Sequence, residues 1–254
     1  MKLRKQQNKK AEKVFFNRLA KQGHYEISTP LVYKKIIRLI NKNRLVVRGT
    51  MLEAGCGMGV WGREMVKNYP KLNIVGVDIS EEMIKVANGK NPKYKAICED
   101  LEKRSIFKKQ SFDFILCPAV LHHFPDPDKV IFNLCYWLKK DGWFIIAEPN
   151  ELYFIGRISK NLRYLAQKVM GNKFLLSSLF ATPNEVDHSL ETYKSLLKKN
   201  QVTTMAVEYH YFEPPVYTLW TLGGLKLTLS RFFNQLFPKS SLTMTTLLLL
   251  ARKR

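Results

Sequence analysis

Three glycines at alternate positions follow an acidic residue near position 55 of this chain. The acid is Glu53 and the glycines are Gly55, Gly57 and Gly59. Glycine adopts positive φ at little cost and lets the backbone come close to a ligand. The stretch has the layout of a strand, a tight turn and a helix start, so it predicts a ligand-binding turn. Turns of this kind also close ordinary corners between strands and helices, and that interpretation stays open here.

A second acid stands at the end of the next apolar segment. Leu72 to Val77 is the kind of run expected of a buried parallel strand, and Asp78 follows it, 19 residues after Gly59. An acid placed there in a βαβ unit can accept hydrogen bonds from a ribose diol. The alternative is that Asp78 caps the following helix, although Ser80 can take that role itself.

The glycines fit two kinds of nucleotide-like ligand. The register Gly57-x-Gly59-x-x-Gly62 matches a dinucleotide fingerprint, whereas the series 55, 57, 59 does not. Cys56 lies inside the turn and is interpreted as a small space-filling residue, because no base stands beside it in the sequence to activate a thiolate.

Two histidines supply the candidate proton acceptors. His122 and His123 follow the fourth apolar run, at the edge of the sheet where open α/β folds bind ligands. A neutral imidazole with a pKa of ~6.5 can take a proton from a hydroxyl, phenol or amine. We expect His123 more than His122 to act in this way. The structural alternative is that histidine at this turn caps a helix or packs beneath the ligand.

Secondary-structure signals predict an α/β chain with a basic helix at its N-terminus. Ser28-Thr29-Pro30 is typical of a helix start, and Pro70 ends a helix that begins near Trp61. Predicted helices cover 1–22, 30–42, 61–69, 132–138 and 182–199; predicted strands cover 50–54, 72–78, 96–101, 112–117, 143–149, 202–212 and 242–251, with a turn at 139–142.

Residues 50–150 resemble the class I S-adenosylmethionine-dependent methyltransferases, in particular a small-molecule branch similar to the ubiquinone and menaquinone enzymes. Four motifs stand in that family's order. They are Glu53-Ala54-Gly55-Cys56-Gly57-Met58-Gly59, Val75-Gly76-Val77-Asp78-Ile79-Ser80, Ala96-Ile97-Cys98-Glu99-Asp100-Leu101 and Ser111 to Phe124. The resemblance implies a Rossmann-like, seven-stranded, mostly parallel sheet with helices on both faces and an antiparallel last strand.

The resemblance also implies S-adenosylmethionine as the cofactor and assigns residues to it. Glu53 would meet the methionine ammonium group, the glycines and Cys56 would line the donor, and Asp78 with Ile79 would serve the ribose. In the family an acid contacts the adenine amino group and the next residue offers its backbone amide, which are Asp100 and Leu101 here. The backbone around Cys117 and Pro118 would lie beside the methionine end, and His at position 123 is common in similar sequences.

The domain prediction divides the chain into basic N-terminal helices, 1–48, and a methyltransferase domain, 49–254. Two apolar and basic stretches, about 151–180 and 214–237, read as helical caps inserted after the fifth and sixth strands. Family insertions after the fifth strand build the acceptor pocket or a lid. We therefore expect a small, apolar or lipid-like acceptor, with the methylated atom (O, C or N) open.

The net charge of +21 is unevenly distributed. Residues 1–50 hold 14 basic and 2 acidic residues, 51–150 hold 14 and 13, and 151–254 hold 14 and 6. Basic flanks can attract nucleic acid or an anionic membrane, or they can reflect a general compositional habit. An RNA methyltransferase is therefore one alternative, less favoured because no Asn-Pro-Pro-Tyr-type tetrapeptide follows the fourth strand; a non-catalytic cofactor-binding protein is another.

Cysteine usage and hydropathy bound the environment. Four cysteines without Cys-x-x-Cys spacing predict neither a disulfide framework nor a metal site. We find no signal-peptide pattern, and no uncharged apolar run approaches ~18 residues. These features favour a cytoplasmic protein, with peripheral membrane contact as an open addition.

Overall fold

The computed structural model describes residues 7–22, 30–89, 94–153, 184–210 and 245–254. Seven strands form one sheet: β1 Gly49–Ala54, β2 Leu72–Asp78, β3 Tyr94–Cys98, β4 Phe112–Pro118, β5 Leu138–Pro149, β6 Val202–His210 and β7 Thr246–Lys253. Their order is β3-β2-β1-β4-β5-β7-β6, and β7 is antiparallel to both of its neighbours. The predicted mostly parallel sheet with an antiparallel last strand is confirmed.

Six helices are described around the sheet: α1 Lys9–Gln22, α2 Pro30–Lys42, α3 Val60–Asn68, α4 Glu81–Gly89, α5 Asp128–Trp137 and α6 Leu190–Lys199. Short 3-10 turns occur at Arg104–Ile106 and Leu121–His123. Residues of α2, α3 and α4 form one apolar cluster on the sheet, and residues of α5 and α6 form another. The two clusters lie on opposite faces, since neighbouring residues of a strand point in opposite directions.

The central strand β1 shows why the sheet must be covered on both sides. Leu52 is fully buried in the cluster that contains Leu134 of α5, whereas Met51 is buried in the cluster that contains Ile40 of α2. A strand that is apolar on both faces is typical of parallel sheets with helices above and below. The carboxyl ends of β1, β2, β3 and β4 consequently meet at one edge.

Two predicted boundaries are wrong. The turn expected at 139–142 lies inside β5: the pairing with β4 shifts register between Phe112 and Phe114, and Asp141 takes a φ of 62°. The helix expected from 182 begins only at Leu190, because Ser189 is its cap and accepts a hydrogen bond from Thr192 N at 3.0 Å. The sequence before Leu190 carries helix signals, but Asn184 and His188 in this stretch make tertiary contacts instead.

Other boundaries differ in smaller ways. β3 ends at Cys98, three residues earlier than predicted, and β1 begins one residue earlier. Residues 242–244 and 211–212, at the ends of the predicted seventh and sixth strands, lie outside the described residues. The predicted cap at 214–237 lies there too, and so does the cap at 151–180 except for its first three residues.

Gly62 fixes the distance between α3 and the sheet. A Cβ atom at Gly62 would stand 2.2 Å from Cε2 of Tyr94 and 2.5 Å from Oε2 of Glu53. Both neighbours are buried, so neither can move aside easily. Close packing at the start of α3 therefore requires a glycine at position 62.

We expect Gly62→Ala to lower the free energy of unfolding by about 1–3 kcal/mol, because the added methyl group overpacks a buried ring. Gly89→Ala is the matched control, since a Cβ at Gly89 meets no described atom within 4 Å. The control should change stability by less than about 1 kcal/mol. Chemical denaturation of both variants measures this, and equal stability of Gly62→Ala and wild type would contradict the packing account.

Candidate active site

The glycine turn after β1 has the backbone conformation that its residues predict. Gly55, Gly57 and Gly59 have φ values of 63°, 49° and 70°. A Cβ at Gly55 would lie 2.0 Å from Cγ2 of Val120, and one at Gly59 would lie 2.7 Å from the Tyr94 ring. These positions combine positive φ with close approach, so a larger residue would both strain the turn and displace its neighbours.

The Glu53 carboxylate lies at the end of β1 and is fully buried. Its Oε2 accepts hydrogen bonds from the Gly62 backbone N–H at 3.1 Å and from the Tyr94 hydroxyl. Among the described residues, its Oε1 has no hydrogen-bond partner. Burial raises the pKa of Glu53 to about 8, although both hydrogen bonds act in the opposite direction. The site therefore holds a carboxyl group that lacks a partner for one oxygen.

Asp78, at the end of β2, is tied to the glycine turn. Its Oδ2 accepts from Gly57 N and its Oδ1 from Ser80 N, each at 2.9 Å. Ser80 itself caps α4, because its Oγ accepts from Met83 N at 3.2 Å. Asp78 is therefore not the cap of that helix. Burial raises its pKa, and the backbone hydrogen bonds oppose this. Ile79, the next predicted site residue, is partly buried.

Asp100 follows β3 and is engaged by the N-terminal helix. Its Oδ1 accepts from Glu102 N at 2.9 Å, and its Oδ2 lies 2.6 Å from Lys9 Nζ. Lys9 also contacts the carboxylate of Glu102. Leu101 is buried, and its carbonyl accepts from Asn133 Nδ2 at 2.8 Å. A ligand group that reaches Asp100 would meet a carboxylate already paired with α1.

The end of β4 presents a residue that the sequence did not single out. Cys117 is fully buried in the apolar core, and Pro118 is also buried. Ala119, the next residue, is exposed and takes a φ of 54°. Its N–H donates to Ala147 O at 2.7 Å. The backbone turns at Ala119. Nothing in the local sequence predicts a positive φ at this alanine.

Glu148, at the carboxyl end of β5, holds the loop that carries the two histidines. Its Oε1 accepts from the backbone N–H groups of Val120 and Leu121, both at 2.7 Å. Its Oε2 lies 2.8 Å from His122 Nδ1. Burial disfavours the imidazolium, but the Glu148 carboxylate outweighs it and holds the pKa of His122 above its usual value. His122 is therefore engaged with a buried acid.

His123 is held from the other side, by α1. Its Nδ1 lies 2.8 Å from Oε1 of Glu12, and its ring meets that of Phe16 edge-on at 5.2 Å between centroids. The rings of His122 and His123 are 4.0 Å apart. Burial and then the neighbouring His122 hold the pKa of His123 below its ordinary value, with Glu12 acting in the opposite direction. The lowered pKa favours the neutral form of the His123 imidazole.

The sequence missed three residues that shape the site. Glu148 ends a strand, as Glu53 and Asp78 do, so the same rule would have found it. Glu12 is the only acidic residue among residues 1–22, and its isolation in a basic segment could have marked it as a candidate. Tyr94 begins β3, 41 positions from Glu53, and nothing local to it indicates that its hydroxyl meets a buried carboxylate.

The four cysteines are free thiols, and burial raises the pKa of Cys56. A buried thiol that resists ionisation fits the space-filling interpretation of Cys56. Within the described parts of the chain, no group of three or more His, Cys, Asp or Glu side chains could hold a metal ion.

Comparisons with known proteins identify the family of this chain. A family model described as a methyltransferase domain matches residues 45–208. A malonyl-acyl-carrier-protein O-methyltransferase of Bacillus anthracis is 28% identical over 145 residues, which are 56% of this chain and 52% of that protein. A ubiquinone biosynthesis O-methyltransferase of Nitrosomonas europaea is 24% identical over 154 residues, 55% of this chain and 60% of the relative. The chain thus spans only about half the length of these curated relatives.

The fold has solved counterparts. The structure of magnesium protoporphyrin IX methyltransferase from Synechocystis PCC 6803 with bound SAH aligns with a TM-score of 0.58 at 14% identity. The alignment covers 96% of this chain and 86% of that one. The structural likeness concerns the fold alone. The family model matches more than half of the sequence, and the chain therefore belongs to the class I S-adenosylmethionine-dependent methyltransferases.

Proposed function

We propose that this chain transfers the methyl group of S-adenosylmethionine to a small, apolar or lipid-like acceptor. The observation that carries the proposal is the buried Glu53 carboxylate beside the glycine turn, with Oε1 unpaired among the described residues. A buried carboxylate oxygen without a partner is unfavourable unless a ligand supplies a donor. The ammonium group of a methionine moiety is such a donor, and it carries the complementary charge.

The residues at this edge fit S-adenosylmethionine in further respects. Gly55, Gly57 and Gly59 keep the turn free of side chains, so that the backbone can approach the ligand. Asp78 and Asp100 are the acids at the ends of β2 and β3, suited to a ribose diol and to an adenine amino group. Ile79, Leu101, Cys117 and Pro118 stay predicted contacts of the cofactor.

The chain's own part in the reaction is modest. The cofactor, when bound, supplies a methyl group that is already activated on a sulfonium centre. The protein therefore has to orient the donor, exclude water and hold the acceptor in line, and positioning of this kind can supply much of the rate. His123, a neutral imidazole at the same edge, is the group we assign to accept a proton from an acceptor hydroxyl or amine.

His122 is assigned a different task. Its Nδ1 is paired with Glu148, and the carboxylate that binds it also holds the Val120 and Leu121 amides. The His122–Glu148 pair therefore fixes the loop on which His123 stands. We assign His122 to this positioning role rather than to proton transfer from the acceptor.

The apolar acceptor rests on the sequences of the two cap segments and on the relatives. Segments 151–180 and 214–237 interleave large apolar residues with lysine and arginine, as expected of a lid over an apolar substrate. The relatives are named for malonyl-acyl-carrier protein and for ubiquinone biosynthesis, acceptors that are not nucleic acid. These features favour a small molecule or a carried acyl group.

Two lysines of the basic helix α1 form ion pairs with acidic residues of the domain. Lys9 pairs with Asp100 and Glu102, and Lys13 with Glu81. These lysines attach α1 to the domain rather than presenting a surface for phosphates, which weighs against an RNA acceptor. Among the described helices, none combines the length and apolar character needed to cross a bilayer.

Cofactor binding should release protons. With the pKa of Glu53 at about 8, this carboxyl group is mostly protonated at pH 7 and must ionise to pair with an ammonium group. We expect about one proton released per S-adenosylmethionine bound at pH 7, falling towards zero as the pH rises above 9. Isothermal titration calorimetry in buffers of different ionisation enthalpy measures this number.

The matched variants for that titration are Glu53→Gln and Glu191→Gln. The first removes the ionisable group and should weaken binding about tenfold or more, without proton release. The second changes a glutamate on α6 whose side chain is 79% exposed, and should titrate like wild type. Tight binding by wild type with no proton release at pH 7 would contradict the role of Glu53.

The acceptor class is tested by label transfer. Methyl-labelled S-adenosylmethionine, incubated with the protein and with separate lipid, small-molecule and RNA extracts, should label the lipid or small-molecule fraction. With the acceptor so found, His123→Ala should lower kcat by about 10²–10⁴-fold if it is the general base. Label confined to RNA would overturn the acceptor class, and a His123→Ala rate within twofold of wild type would remove His123 from the mechanism.

A further inference from the structure

The N-terminal helix reaches the candidate active site with more than its lysines. Glu12 is 2% exposed, although it belongs to an otherwise basic helix. A carboxylate is rarely buried to this extent unless charged or polar partners compensate it. The partners of Glu12 are therefore informative about what α1 does.

Glu12 lies between two polar side chains from distant parts of the chain. Its Oε1 is 2.8 Å from Nδ1 of His123, and its Oε2 accepts a hydrogen bond from Nδ2 of Asn184. The contact with His123 is short but is not aligned as a full hydrogen bond. Asn184 is itself fixed on α1, since its Oδ1 accepts from Asn8 N at 2.8 Å. The carboxylate is thus held in place beside the imidazole.

The segment that includes α1 and the residues just before it contacts His123 at two further points. Gln7 Nε2 donates to the His123 carbonyl at 2.9 Å, and Phe16 packs edge-on against the imidazole ring. The backbone, the ring edge and one ring nitrogen of His123 are therefore all contacted by residues 7–16.

We propose that Glu12 is a positioning residue that orients His123 for proton transfer, so that α1 is part of the active site. This inference deepens the proposed function and rests on it for the chemistry, but the contact between Glu12 and His123 can be tested without turnover. The arrangement follows the logic of an acid that holds an imidazole, which in turn serves a reacting group.

The position of Glu12 determines which nitrogen of His123 carries the proton and which can accept one. A carboxylate beside Nδ1 favours the tautomer with the proton on Nδ1, which leaves the lone pair on Nε2. As the acceptor atom forms its bond to the methyl carbon, the electron pair of the broken carbon–sulfur bond stays on the donor's sulfur. The acceptor's proton then passes to Nε2, and Glu12 stabilises the imidazolium that forms.

The groups facing His123 come from three elements. Glu12 lies on α1, His122 on the same loop, and Glu148 on β5, and each of these groups shifts the pKa of His123. Glu148 is already paired with His122 at 2.8 Å. Glu12 is consequently the acid in direct contact with His123, and removing its charge should make the imidazole harder to protonate.

The test is ¹⁵N NMR of the histidine side chains in the full chain, as a function of pH. In wild type we expect His123 to be the Nδ1-protonated tautomer. Glu12→Gln, which removes the charge and keeps the shape, should lower the pKa of His123 by about one unit. Glu12→Leu, which removes the acceptor, should shift His123 towards the Nε2-protonated tautomer.

Two controls separate this role from simple docking of the helix. Glu81→Gln breaks the exposed ion pair of Lys13 with α4, another attachment of α1, and should leave His123 unchanged. The tautomer of His122, which its contact with Glu148 sets, should be the same in every variant. The proposal is overturned if Glu12→Gln leaves the tautomer and pKa of His123 at their wild-type values, or if Glu81→Gln reproduces the effect.

Activity then distinguishes this inference from the proposed function. With an identified acceptor, Glu12→Gln should lower kcat about 10–100-fold with the affinity for S-adenosylmethionine within threefold of wild type. Should wild type fail to bind S-adenosylmethionine, the proposed function fails while the NMR result still decides whether Glu12 orients His123. An unchanged kcat in Glu12→Gln would overturn the positioning role.

Discussion

Burying the carboxyl group of Glu53 costs free energy, and the structure around the glycine turn depends on how that cost is met. The side chain is fully buried and Oε1 is unpaired among the described residues, so burial favours the protonated form and raises its pKa to about 8. Relative to a glutamate in the unfolded chain, this group favours folding below about pH 4.5, and that contribution is lost as the pH rises towards 8. A cationic ligand reverses the balance, because it stabilises the ionised form. The energetic weak point of the fold is therefore also the site where we propose that the cofactor binds.

The packing around Glu53 explains residues that have no role in chemistry. Gly62 must lack a side chain, since a Cβ would collide with Tyr94 and Glu53, and Gly59 must turn beside the same tyrosine ring. The Tyr94 hydroxyl in turn donates to Glu53 from the adjoining region of the sheet. One buried tyrosine thus connects β3, the glycine turn and α3. Substitutions here are expected to affect stability and ligand binding together, which is typical of sites that bury polar groups.

Much of the fold could be predicted because its signals are local. The glycines, Asp78 and the apolar runs of β1 and β2 fix the order of strand, turn and helix from a few neighbouring residues. The start of α6 could not be predicted, because residues 184–188 are used in contacts with distant segments: Asn184 with Glu12, and His188 Nε2 with the Phe124 carbonyl at 2.8 Å. Tertiary contacts of this kind override a helix signal without leaving a trace in the local sequence.

The same distinction applies to the site. Glu53 and Asp78 could be predicted as site residues because an acid at the end of a buried strand is visible in the sequence. The position of Glu12 beside His123, 111 residues away, depends on how α1 packs against Met58 and Met83, which no spacing encodes. Through this packing, the basic helix α1 covers the carboxyl edge of the sheet.

We propose that the buried Glu53 site binds S-adenosylmethionine. The most direct test of this proposal is the thermal unfolding midpoint of the wild-type chain with S-adenosylmethionine and, separately, with a nicotinamide dinucleotide, the ligand that the alternative glycine register would favour. A ligand that binds only the folded state raises this midpoint in proportion to its affinity. We predict a concentration-dependent rise with S-adenosylmethionine, lost in Glu53→Gln, and none with the dinucleotide. A rise with the dinucleotide and none with S-adenosylmethionine would contradict the account.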